Sequence, residues 1–70
     1  MNRLGEKVRL LRNRQTMTTR QLGDVFGVDS SLITKIETSK SVPSLGLAVK
    51  IAQFFEITVD DLVNDEIEID

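Results

Sequence analysis

The sequence predicts an all-α domain of five short helices. Three observations carry that expectation: apolar residues recur at helical spacing, capping residues stand ahead of the second, third and fifth apolar stretches, and Gly27 and Pro43 punctuate two of the gaps. In order along the chain, Leu4, Val8 and Leu11 stand at i, i+4 and i+7 with Arg and Lys between them. Residues 3–14 therefore read as an amphipathic first helix. After a break at Gln15 to Met17, Thr18 has the character of an N-cap and Gln21 completes a capping-box pattern. A second helix then covers residues 19–26 and stops at Gly27, which can take the left-handed conformation that ends a helix.

Asp29 is the natural N-cap of a third helix over residues 30–38. Ile33 and Ile36 would face inward, and Ser30, Ser31, Thr34 and Lys35 outward. A polar loop, Thr38 to Pro43, leads to a fourth helix from Ser44 to Phe55, expected to bury Leu45, Ala48, Ile51, Ala52 and Phe55. Thr58 and Asp61 repeat the capping-box spacing and open a short fifth helix through Leu62 and Val63. Residues 1–65 form the expected domain, and residues 66–70 an acidic tail. That tail, Glu66-Ile67-Glu68-Ile69-Asp70, alternates with a strand-like period. Its expected state is a frayed end; the alternative is that Ile67 and Ile69 pair with a partner's tail or pack on its fifth helix.

Composition narrows the function. The chain has no Cys and no His, which excludes disulfides, thiolate zinc sites, thiol nucleophiles and imidazole catalysis. Its carboxylates show no metal-ligand spacing, and there is no Gly-rich phosphate loop or nucleophile-base pair. No enzyme, no catalytic residue, no metal and no cofactor is expected. No apolar run reaches the roughly 18 residues of a membrane span and no signal peptide is visible, so a soluble, cytoplasmic protein is expected, with no membrane partner.

The net charge of −2 conceals a segregation. Residues 1–50 hold all nine basic residues against four acids, whereas residues 51–70 hold seven acids and no base. A phosphate-binding face needs local positive potential only, so a nucleic-acid face at one end and an acidic opposite end are expected. The stretch Thr18 to Glu37 supplies the motif: two short helices joined at Gly27 have the spacing of a helix-turn-helix, which presents its second helix to the major groove of double-stranded DNA.

The set Thr18, Leu22, Gly27-Val28, Ile33, Ile36-Glu37, Pro43-Ser44-Leu45, Lys50-Ile51-Ala52 and Val59-Asp60-x-Leu62 resembles, in joint order and spacing, the phage repressor and Cro (Xre-type) family over residues 3–62. The resemblance implies a five-helix domain that binds operator DNA as a homodimer and regulates transcription. It also implies that Arg12 and Glu37 form a structural ion pair. Three positions depart from the family pattern: Gly23 where Ala is usual, Thr19 where Gln is common, and Ser39 in place of the Gly after the third helix. Either small residue at position 23 would let helices two and three approach, and Ser39 or its neighbour should bear strain if the turn stays left-handed.

Site residues follow by geometry and resemblance. Ser30, Ser31, Thr34 and Lys35 are the expected base contacts, with Lys35 the best single candidate because an ammonium suits guanine O6 and N7. Phosphate contacts are expected from Arg12, Thr18, Thr19, Arg20, Lys40, Ser41 and Ser44, at helix starts and the intervening loop. Asp29 should act chiefly as a cap. A twofold dimer interface is expected from Phe54, Ile57, Val63, Ile67 and Ile69. The resulting function is a sequence-specific DNA-binding regulator, a repressor at a pseudo-palindromic operator. The alternative is an interaction module on the same fold, such as an antitoxin or adaptor, whose acidic tail binds a protein partner.

Overall fold

Each helix begins where a side chain can satisfy its first amides. The computed structural model describes residues 2–69 and contains α1 (Leu4–Arg14), α2 (Thr19–Phe26), α3 (Ser30–Glu37), α4 (Leu45–Phe54) and α5 (Val59–Val63). Thr18 and Thr58 close full capping boxes with Gln21 and Asp61, and Asp29 and Ser44 cap α3 and α4. Among the described residues there is no strand, and no helix is long and apolar enough to cross a membrane.

Four successive helices end in the same way. The amides of Met17, Val28, Lys40 and Ile57 each bond back five residues, to the carbonyls of Arg12, Gly23, Lys35 and Ala52. This is the Schellman closure, which needs a left-handed residue just past the helix. Gly27 supplies it for α2 at φ +70°. Thr16, Ser39 and Glu56 supply it elsewhere at φ +56°, +62° and +58°, so the strain expected at Ser39 is present and recurs twice. Met17, Val28 and Ile57, the residues that follow, pack on the core and hold the turns in place. Replacing Thr16, Ser39 or Glu56 by Gly is expected to raise stability by about 1 kcal/mol each, most for β-branched Thr16. A higher urea midpoint at unchanged slope would show it.

The core is one cluster: Leu4 and Val8 from α1, Leu22 and Phe26 from α2, Ile33 and Ile36 from α3, Leu47, Ala48 and Ile51 from α4, and Leu62 from α5. Phe54 extends it edge-on to Phe26 and Phe55, at centroid distances of 5.7 and 5.0 Å. Leu45 corrects the sequence reading, because it is 76 % exposed and Leu47 is buried in its stead. The inward stripe of α4 runs through Leu47, Ala48, Ile51 and Ala52, and at 100° per residue Leu45 lies about a quarter-turn from its centre.

Over the described residues the C-terminal segment forms no strand and bonds back to its own chain. Asp65 accepts the backbone N–H groups of Asn2 and Arg3 at 2.8 and 2.9 Å, capping α1 from 62 residues away, where Arg3 itself supplies no capping oxygen. Glu68 takes a two-pronged ion pair from Arg3, at 2.7 and 2.9 Å, and Arg14 reaches the Ile69 carbonyl. Ile67 and Ile69 line a groove beside Leu11, Phe55 and Ile57 of their own chain. Residue 70, part of the expected tail, lies outside the described residues.

Those hydrogen bonds hold the Asp65 carboxyl down at about 2 from its usual 3.8, the Arg3 amide contributing first and the Asn2 amide next. A carboxyl depressed in the folded state contributes stability that is present above its unfolded value and lost as pH falls through the folded one. The expected result is a loss of thermal stability between about pH 4 and pH 2 that is smaller in Asp65→Asn, read as melting temperature against pH.

Candidate nucleic-acid interface

The turn between α2 and α3 is built from backbone contact. A Cβ on Gly23 would stand 2.6 Å from the Val28 carbonyl oxygen and 3.3 Å from the Ser30 nitrogen. The two segments therefore approach more closely than alanine would allow, which corrects the expectation that either small residue serves at position 23. Ile33 and Ile36 are fully buried and set the rotation of α3. That rotation leaves Ser31, Thr34 and Lys35 exposed and Ser30 half-buried on one side of its N-terminal half.

Asp29 accepts the Ser31 amide at 2.9 Å, and its carboxyl is held below the usual range first by that bond and then by the Ser31 hydroxyl, with the Lys35 charge adding to it. The carboxylate is thus occupied as the cap of α3. Thr34 donates its hydroxyl to the Ser30 carbonyl at 3.2 Å. Lys35 is exposed, and its backbone carbonyl receives the Lys40 and Ser41 amides, which folds the following loop back against the end of α3.

The helix starts of α2 and α4 are each capped by a hydroxyl and leave further amides without an acceptor. Thr18 uses its hydroxyl on the Gln21 amide at 3.1 Å, and Ser44 uses its own on Leu47 at 3.2 Å. The N–H groups of Thr19, Arg20, Leu45 and Gly46 have no acceptor among the described residues. Arg20, Lys40 and Ser44 are exposed, and Thr19 and Ser41 are half-buried. Not every base of the N-terminal region belongs to this face. Arg3 is spent on Glu68, and Arg14 reaches toward the C-terminal segment.

Arg12 and Glu37 tie α1 to the end of α3. The guanidinium donates through Nε to Glu37 Oε2 at 2.7 Å and through Nη2 to Oε1 at 3.0 Å, and through Nη1 to the Met17 carbonyl at 2.8 Å. The side chains are 13 % and 6 % exposed. The hydrogen bonds to Glu37 raise the Arg12 pKa further, so the guanidinium keeps its charge. With three donors committed inside the chain, Arg12 serves a phosphate at most with what remains.

The expected dimer residues do not share one free surface. Ile57 and Val63 are half-buried against the core, and Ile67 and Ile69 are half-buried within their own chain. Only Phe54 is open, at 41 % exposure, in a shallow groove with Val25, Lys50 and Gln53. Among the described residues no group of three or more metal-ligating side chains comes together.

Two structural residues escaped the sequence reading. Lys7 is 2 % exposed, and its Nζ donates to the carbonyls of Asp61 and Asn64 at 2.7 and 2.6 Å, closing the C-terminal end of α5. A signal existed, since Lys7 stands three residues after Leu4 and four before Leu11, on the apolar stripe. Gly5 left none: it lies where α1 crosses the last turn of α3.

Comparison with known proteins gives a consistent picture. A family profile described as helix-turn-helix matches residues 8–62. The transcriptional activator BcrR of Enterococcus faecalis is 33 % identical over 61 residues, which are 87 % of this chain and 30 % of that protein. The chain thus spans under a third of that relative's length. Uncharacterized helix-turn-helix transcriptional regulators of Methanocaldococcus jannaschii and Bacillus subtilis are each 38 % identical over 56 residues, covering 80 % of this chain and 85 % of theirs. A crystal structure of the P22 c2 repressor in complex with a synthetic operator superposes with a TM-score of 0.82 at 23 % identity, over 87 % of this chain and 92 % of that one, a likeness of fold.

Proposed function

The chain belongs to the helix-turn-helix family of the phage repressor and Cro type, and from that membership we propose that it is a sequence-specific regulator that binds a pseudo-palindromic operator as a homodimer and represses by occupying it. The carrying observation is the reading edge itself: Ser30, Ser31, Thr34 and Lys35 on one side of the first turns of α3, above a fully buried Ile33 and Ile36. Arg20, Lys40 and the free amides at the starts of α2 and α4 flank it as phosphate contacts with Thr18, Thr19, Ser41 and Ser44. Repression is favoured over activation because occupancy alone excludes a competing protein, whereas activation needs a further contact surface.

One short helix buries little of the groove, so two copies about one DNA turn apart are the fitting arrangement. The twofold contact is assigned to the face around Phe54 and Val25, since the other expected interface residues are largely used within the chain. The acidic-tail reading loses support, because Asp65 and Glu68 are engaged by Asn2 and Arg3.

Selection from a pool of random duplexes, followed by salt titration on the selected site, tests the proposal. A two-part, inverted site is expected. With Arg20 and Lys40 of two copies neutralising phosphates, log affinity should fall against log salt with a slope of about −4. Absence of any selected sequence at low salt would sink the reading.

A further inference from the structure

A threonine hydroxyl has one hydrogen. On Thr34 that hydrogen is engaged, because Oγ1 donates to the Ser30 carbonyl one turn back at 3.2 Å, and the neighbouring turn repeats the pattern, Thr38 Oγ1 donating to the Thr34 carbonyl at 2.9 Å. Thr34 remains exposed on the reading edge, so what its hydroxyl offers outward is lone pairs only. Lys35, its neighbour, is the opposite: an ammonium donates and cannot accept. Two adjacent positions of α3 are therefore polarised, although their residue types alone leave the threonine ambivalent.

We propose that Thr34 is a specificity-determining acceptor that reads an exocyclic amino group in the major groove, adenine N6 or cytosine N4, beside a Lys35 that reads an acceptor. In that groove only those two base groups donate, and guanine O6 and N7 and thymine O4 would face the Thr34 oxygen lone pair to lone pair. The inference rests on the operator-binding reading above. It goes beyond it by assigning the sense of one hydrogen bond.

The test uses the selected duplex with single-atom-group changes. Each adenine in turn is replaced by purine, which lacks the 6-amino group, and each cytosine by its analogue lacking the 4-amino group. Each thymine is replaced by uracil, which lacks the methyl. Wild type, Thr34→Ser and Thr34→Val are compared on every duplex. The expected result is one position per half-site where removing the amino group weakens wild type and Thr34→Ser about fivefold and leaves Thr34→Val unchanged. Sensitivity at the adenine or the cytosine analogue identifies the base. The proposal is overturned if Thr34→Val keeps the sensitivity of wild type at every amino group. It is equally overturned if the only position that depends on Thr34 responds to loss of the thymine methyl. Failure of wild type to select any sequence would overturn the operator reading and this inference together. Selection with an unaltered Thr34→Val profile overturns this inference alone.

Discussion

Gly5→Ala is expected to destabilise the domain severely, by about 3 kcal/mol, although it places the best helix former inside α1. The new Cβ would overlap the Ile36 carbonyl oxygen and lie 2.8 Å from the Glu37 carbonyl oxygen and 3.0 Å from the Glu37 carbonyl carbon. All three are backbone atoms, so no side chain can rotate to relieve the contact. The α1–α3 crossing must open, and with it the packing of Leu4, Val8, Ile33 and Ile36. For a domain this small, whose total stability is of order 5 to 10 kcal/mol, the melting temperature should fall by roughly 12–24 °C. Gly46→Ala is the control of opposite sign. A Cβ there meets nothing within 4 Å, so the gain in helix propensity, up to about 1 kcal/mol, should raise the melting temperature. Equal effects of the two substitutions would refute the steric account.

Glu37→Ala is expected to cost about 3 kcal/mol or more, measured by urea denaturation. It removes the carboxylate that receives two guanidinium bonds and leaves Arg12, 13 % exposed, with an unpaired charge at the α1–α3 contact. Arg12→Ala should cost a similar amount, since it also strips the Met17 carbonyl of its donor. The double replacement by apolar residues should be milder than either single change, because no charge is then stranded. If the singles add to the double, the pair is not coupled. DNA affinity should fall in both singles through the position of α3, whose last turn carries Glu37.

Much of the fold was legible because its signals are local. Thr18 with Gln21 and Thr58 with Asp61 announce helix starts in four residues each, and the boundaries of α2 fall where those caps and Gly27 place them. The outward side of α3 was legible for the same reason, since the burial of Ile33 and Ile36 fixes what faces out. Leu45 was misread because spacing by threes and fours tolerates a quarter-turn error at a helix end. Thr16 and Glu56 gave no glycine to announce a left-handed turn. Their signal was the apolar residue that follows each, Met17 and Ile57.

Local sequence was enough for the all-α class, the order of five helices, the caps that begin α2, α3 and α5, and which residues of α3 face away from the core. Each depends on residues within a few positions of one another. The tertiary contacts were needed to show that Gly5 is a contact point, that the ammonium of Lys7 meets the carbonyls of Asp61 and Asn64, that Asp65 caps α1, and that the tail lies on its own chain. Each of these joins residues that are far apart in sequence, and a distant carbonyl or amide carries no signature in the side chain that will meet it. The division runs through the outward side of α3 as well. Periodicity placed Thr34 there, and only the bond to the Ser30 carbonyl, a matter of side-chain rotamer, decided which way its hydroxyl faces.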